Sequence, residues 1–287
     1  MMKELTHARM AQPFVHAPLF RSFAKGEQQR LKLDVRYSVK ESCVSFHFWG
    51  PEPLGAMDLR VLQGLVAVVT SQRPRDGGVK QLLRDGRAGR ARLALKHDAL
   101  EQPTIAARFR LSALAQTIGY ARPSGRMRAL LEQSIKRICA ITVYATRPGY
   151  RAAYHIAGFS QDTETDEFVV SLNPCITAAV LGKNEYLRVD LQEVRRLKSD
   201  ATHLIHSRLH WINHGSSKLL TVDTLCGYAY GDAHASPSGV RQRRRTVKKS
   251  LEELRGIGWG CEETASGSGK YMITRPPGPS KPFKAAS

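Results

Sequence analysis

The chain has 287 residues, 42% of them apolar, which is enough for one or two domains with ordinary cores. Lys and Arg outnumber Asp and Glu by 44 to 25, a formal charge of +19, and so large an excess calls for a polyanionic partner, nucleic acid first. The five cysteines are scattered without a C-x-x-C pair, which excludes a disulfide framework and a thiolate zinc site. The longest apolar run, Leu65 to Val69, is far too short for a bilayer, and the first twenty residues lack the core of a signal peptide. The expectation is a cytoplasmic protein with no membrane contact.

In chain order, residues 1–30 read as a flexible basic arm. "GAMDLRVLQGLVAVV" (55–69) reads as an apolar helix, and 71–109, with "RPRDGGVKQLLRDGRAGRAR", as a long cationic excursion. "LSALAQTIGY" (111–120) is a short helix. "PSGRMRALLEQSIKRI" (123–138) is a capped helix whose stripe is Met127, Leu131, Ile135 and Ile138, with Ser124 at its start and Arg126, Gln133, Lys136 and Arg137 on its other faces. A β-hairpin pattern follows at 140–159, then strand, short helix and strand over 167–190.

The same order then recurs. A helix spans "LQEVRRLKSDATHLIHSRLHWI" (191–212), a short one "LTVDTLCGY" (220–228), and a second PSG opening begins "SPSGVRQRRRTVKKSLEELRGIGW" (236–259). Ser236 and Pro237 suit a helix start. At 100° per residue Val240, Val247, Leu251 and Leu254 form one stripe, while Arg241, Arg245, Lys248 and Lys249 gather opposite it. A hairpin at 259–276 closes the repeat, and the Pro-rich end, 277–287, reads as a disordered tail. Helix, helix, turn, helix, hairpin, stated twice, predicts an α+β fold of two tandem winged helix-turn-helix domains, at 31–186 and 187–276. In that unit the third helix enters the major groove. The candidate DNA contacts are therefore Ser238, Arg241, Gln242, Arg244, Arg245, Lys248 and Lys249 in the second unit, and Ser124, Arg126, Gln133, Lys136 and Arg137 in the first.

Four strings, "GPEPLGAMDLRVLQGLVA" (50–67), "SLNPCITAAVLG" (171–182), "DTLCGYAY" (223–230) and "YMITRP" (271–276), resemble the RepC replication initiators of IncQ-type broad-host-range plasmids. The resemblance runs in order from about residue 17 to 276. It implies an origin-binding protein that recognises tandem direct repeats (iterons), helps open an adjacent AT-rich stretch, lets a plasmid-encoded helicase and primase load, and can self-associate. It also implies pseudo-two-fold symmetry between the two winged-helix domains.

Enzyme signatures are missing. Neither G-x-x-x-x-G-K-[ST] nor H-E-x-x-H occurs, and no cofactor or metal is expected. His203, His206, His210 and His214 share one helical face, but no carboxylate or cysteine completes a ligand set there, so packing is expected of them. Trp49, Trp211 and Trp259 each adjoin apolar residues and are expected as core or wing anchors rather than base-stacking platforms, and the scarcity of aromatics argues against an RRM- or OB-type single-strand binder. The reading is a non-enzymatic, sequence-specific duplex DNA-binding initiator. Its alternatives are a winged-helix repressor or a relaxase-type nuclease.

Overall fold

The computed structural model describes residues 6–24, 26–39, 43–71, 90–231 and 235–278. The chain divides into two compact units, Met1–Arg196 and Leu197–Ser287. Both mix helices with antiparallel sheets.

The first unit opens with β1 (His7–Ala11) and the short helix α1 (Gln12–His16). Strands β2 (Leu33–Val39) and β3 (Val44–Gly50) form a hairpin, and α2 (Ala56–Ser71) follows. After β4 (Lys96–His97) and β5 (Ile105–Arg110) come α3 (Leu111–Thr117) and α4 (Gly125–Cys139). The next four strands are β6 (Thr142–Arg147), β7 (Tyr150–His155), β8 (Ala157–Asp162) and β9 (Glu167–Leu172). Helix α5 (Pro174–Leu181), strand β10 (Tyr186–Asp190) and helix α6 (Leu191–Arg196) complete it.

Helix α2 is the hub of this unit. Leu59, Leu62, Leu65, Val66 and Val69 are all buried, because the helix is apolar on nearly every side. Gly64 lets it approach the following helices closely: a Cβ there would lie 2.6 Å from Ile118 Cγ2 and 2.8 Å from Leu114 Cδ1. The strands form a five-stranded sheet in the order β2-β3-β6-β7-β4, a three-stranded sheet β5-β9-β8 and a pair β1-β10.

Three sequence expectations change here. Within its described residues, the supposed flexible arm is built into the unit: β1 pairs antiparallel with β10 from His7↔Asp190 to Ala11↔Tyr186, and Ala8, Met10, Phe14 and Leu19 are buried. Its apolar residues sit in elements of five residues each, too short for a periodic signal to register. The 140–159 hairpin exists as β6 and β7 but extends the five-stranded sheet. The hairpin that pairs back onto the strand before α3 is β8-β9, in register Ile105↔Leu172 to Arg110↔Glu167. Lastly, the cationic excursion over 71–109 lies partly on residues 72–89, outside the described residues, while its later part carries β4 and β5.

The second unit consists of α7 (Asp200–Leu209), β11 (Ser217–Thr221), α8 (Val222–Tyr230), α9 (Pro237–Gly256), β12 (Gly260–Glu263) and β13 (Lys270–Thr274). Its sheet has the order β11-β13-β12. Helix, strand, helix, helix, strand, strand is also the order of α2, β5, α3, α4, β8 and β9, whose sheet runs β5-β9-β8. In both units, therefore, the last strand lies between the other two. The core gathers Ile205, Leu209, Leu225, Val247, Leu251, Leu254, Trp259 and Ile273.

The helix expected over 191–212 is two helices. It breaks at Leu197 to Ser199, where Ser199 caps α7 by accepting from Thr202 N at 3.1 Å. The acid on α9 explains the break: Glu253 accepts from the backbone N–H of Lys198 and from Thr202 Oγ1 at 2.7 Å, satisfying the start of α7. The unit boundary accordingly falls at 196/197 rather than 186/187, since β10 is a partner of β1.

Candidate nucleic-acid interface

Helix α9 begins as its sequence demands, with Ser236 Oγ accepting from Gly239 N at 3.2 Å and Pro237 in the first turn. Val247, Ser250, Leu251 and Leu254 are buried, so the rotation of the helix is fixed by an apolar stripe. Val240, expected in that stripe, is 37% exposed because the first turns of α9 run ahead of the core. Ser238, Arg241, Gln242, Arg244, Arg245, Lys248 and Lys249 are all exposed. Among the described residues, Arg241, Arg245, Lys248 and Lys249 have no ion-pair partner. The other three cations of the helix are engaged within the unit: Arg255 donates to Cys261 O at 2.8 Å, and two act as braces to the preceding helix. Arg244 makes two 2.8 Å hydrogen bonds to the Asp223 carboxylate, and Arg243 lies 4.9 Å over the Tyr230 ring, so both tie α9 to α8.

Helix α4 occupies the same place in its unit's element order, with a thinner complement of charge. Ser124 caps it by accepting from Met127 N at 3.3 Å, and Arg126, Gln133 and Lys136 are exposed. Arg137 is not a surface cation, contrary to the sequence expectation. Its guanidinium bonds Asp58 at 2.8, 3.1 and 3.2 Å, and the Asp58 side chain is 1% exposed. Asp58 also accepts from Gly55 N at 2.7 Å and from Gln28 Nε2 at 3.2 Å, so one buried carboxylate joins the start of α2 to α4. Arg128 is engaged as well, with Asp166 in the β8-β9 turn.

The two hairpins differ in the same sense. The β8-β9 turn carries Asp162, Glu164 and Asp166, and backbone N–H bonds from Thr165 and Glu164 hold the Asp162 carboxyl below its usual range. A turn so acidic repels phosphate. The β12-β13 connection, "TASGSG" from 264 to 269, carries no charge of its own and turns through Gly267 and Gly269 at positive φ, with Gly269 N donating to the Glu263 carboxylate at 3.0 Å.

The histidine face is packed. His203, His206 and His210 are buried, and the His206 and His210 rings lie 5.7 and 6.0 Å from the Trp259 ring. His210 Nδ1 bonds His206 O at 2.7 Å, and exposed His214 bonds Pro276 O through Nδ1 at 3.0 Å. Burial, then the neighbouring His206 and Arg275, push the His210 pKa well below 6.5. The neutral ring is therefore the folded form. As pH falls through about 6.5 the unfolded chain takes up a proton that the folded chain refuses, so stability should be full above that pH and fall below it, by at most about 1.4 kcal/mol per unit. Urea unfolding of the second-unit transition from pH 7.5 to 5 measures this slope, and His210→Gln should flatten it. Of the tryptophans, Trp259 is buried, but Trp49 is 48% exposed on β3.

A family model described as Replication protein C (RepC) matches residues 2–277. The chain belongs to the RepC family. It is a replication initiator, and that membership implies DNA binding. No helix among the described residues is long and apolar enough to cross a membrane. The strings that resemble RepC initiators mostly form scaffold: residues 50–67 enter α2 with Asp58, 171–182 hold α5 with its Asn173 cap, and 223–230 are α8. Among solved structures, the RepC chain is similar to a selenomethionine crystal structure of domains 2 and 3 of RctB, with TM-score 0.52 and 9% identity over 88% of this chain and 93% of that one. A second structure of RctB domains 2-3 aligns with TM-score 0.49 and 9% identity, over 88% and 84%. The likeness concerns the fold. In sequence, no curated protein matches significantly.

Proposed function

We propose that this initiator binds iteron repeats in duplex DNA with two tandem winged helix-turn-helix domains related by pseudo-two-fold symmetry, α9 and α4 being their recognition helices. The observation that carries this reading is α9 itself: Arg241, Gln242, Arg245, Lys248 and Lys249 stand exposed on a helix whose opposite stripe is locked in a core. Such a face can enter a major groove, with arginine or glutamine reading base edges and lysine neutralising phosphate. Two such helices on one chain cover successive groove segments of one asymmetric repeat. Summed over adjacent repeats, the bound copies strain a neighbouring AT-rich stretch until it opens and the plasmid helicase and primase load. The protein contributes binding and deformation, without hydrolysing ATP or cutting DNA.

The second domain supplies most of the affinity in this scheme. Its helix offers Arg241, Arg245, Lys248 and Lys249 on one exposed side, whereas α4 offers Arg126 and Lys136 with Glu132 between them and the acidic β8-β9 turn nearby in the chain. Footprinting of the full chain on an origin carrying its direct repeats tests both points. The wild type should protect two adjacent groove segments per repeat. Arg245→Ala with Lys249→Ala should erase the stronger, and Arg126→Ala with Lys136→Ala only the weaker. Protection unchanged in the α9 variant would sink the assignment.

A further inference from the structure

The five-stranded sheet of the first unit buries one face and leaves much of the other exposed on β2, β3 and β6, while Ala153 on β7 is only 4% exposed. Phe46, Phe48, Val143, Ala145, Ala152 and Tyr154 point into the core. On the other face the register sets residues in rows across the strands. One row reads Arg36, His47, Tyr144, Ala153, Lys96, about 19 Å from end to end at the usual strand spacing of ~4.8 Å. The next row on one side is Asp34, Trp49, Thr142, His155, and on the other Ser38, Ser45, Thr146, Arg151. Tyr144 is 45% exposed and Trp49 48%, and the His47 ring stacks on Tyr144 at 5.8 Å. An open cleft of about 710 Å³, lined by Ser45, Thr146, Gly149, Arg151 and His97, continues the third row beyond the sheet.

We propose that this face binds single-stranded DNA, with bases stacked on Tyr144 and Trp49 and phosphates held by Arg36, Lys96 and Arg151. The charge balance favours a polyanion. Three exposed cations flank the aromatics, the Asp34 carboxylate is hydrogen-bonded to His47 at 2.9 Å, and the cleft's Asp98 accepts from Arg151 N at 2.7 Å. The aromatics select the single strand, because a duplex hides the faces of its bases while an unpaired base can lie flat on a ring. A second protein chain fits less well: the Ser and Thr rows and the three cations around Tyr144 and Trp49 would be desolvated against it with only two aromatics to drive association. The site is built on β3 and β6, which share no residue with α4 or α9, so it adds a second kind of DNA contact and does not require that α9 reads the duplex.

The experiment is fluorescence anisotropy of a labelled oligothymidylate of about 16 nucleotides with the full chain, alongside an origin duplex. Trp49→Ala and Tyr144→Ala should each weaken the oligothymidylate about tenfold or more. Duplex affinity and thermal unfolding should stay unchanged, and Tyr144→Phe should keep the wild-type behaviour. Oligothymidylate should quench tryptophan emission in the wild type and fail to do so in Trp49→Phe, a readout that survives if the alanine variants fold badly. Arg36→Ala with Arg151→Ala should shallow the salt dependence of single-strand binding, at about 0.7 of slope per phosphate contact. The proposal is overturned by oligothymidylate binding that the Trp49 and Tyr144 changes leave intact. It is equally overturned if Arg245→Ala with Lys249→Ala removes single-strand and duplex binding together, or if the alanine variants dissociate an oligomer while single-strand affinity holds.

Discussion

Asp58→Ala is expected to cost the first unit about 3–5 kcal/mol, because it strands the Arg137 guanidinium in a site with little water and orphans the Gly55 N–H. The Asp58 side chain is 1% exposed and its partner 14%, so solvent cannot replace what is lost. Chemical denaturation should show an early first-unit transition, with the second-unit transition unmoved because its core is separate. Arg137→Ala should destabilise in the same way. A variant at Arg137 that kept full stability while losing DNA affinity would return that residue to the surface role its sequence position suggested.

Replacing Arg241, Arg245, Lys248 and Lys249 together with alanine should leave the unfolding transition in place and remove most duplex binding. If each cation meets one phosphate, the slope of log K against log salt shrinks by up to about 3.6, at roughly 0.9 per contact. Arg245→Ala alone costs about 1–3 kcal/mol where it reads a base edge. Leu251→Ala is the control for the other face of the same helix: it is fully buried, and its truncation should cost about 2–5 kcal/mol of stability. Titrations at several salt concentrations, paired with thermal melts, separate the two faces. Unfolding by the charge changes would mean that the helix is turned the other way.

Much of this was legible in the sequence. A 3.6-residue stripe with a Ser-Pro start was enough to begin α9 at Ser236 and Pro237 and to put Arg241, Arg245, Lys248 and Lys249 on its outer side, since only one rotation buries Val247, Leu251 and Leu254. The same logic placed α2 and α4, and Gly-rich turns between β-branched runs announced β12 and β13. Local periodicity and caps decide such features, and both are written within a few residues of one another.

What the tertiary structure alone decided are the pairings between residues far apart in the chain. Nothing near Arg137 in sequence reveals that Asp58 will claim it, and nothing near Asp223 reveals that it will hold Arg244. Which hairpin pairs back onto β5 depended on register across more than fifty residues, from Ile105 to Leu172, and two hairpin patterns in succession look alike in one dimension. Trp49 followed the same rule. Its apolar neighbours Phe48 and Phe46 made it look like core, but in a strand adjacent side chains face opposite ways, and only the packing of the sheet determined which face was covered.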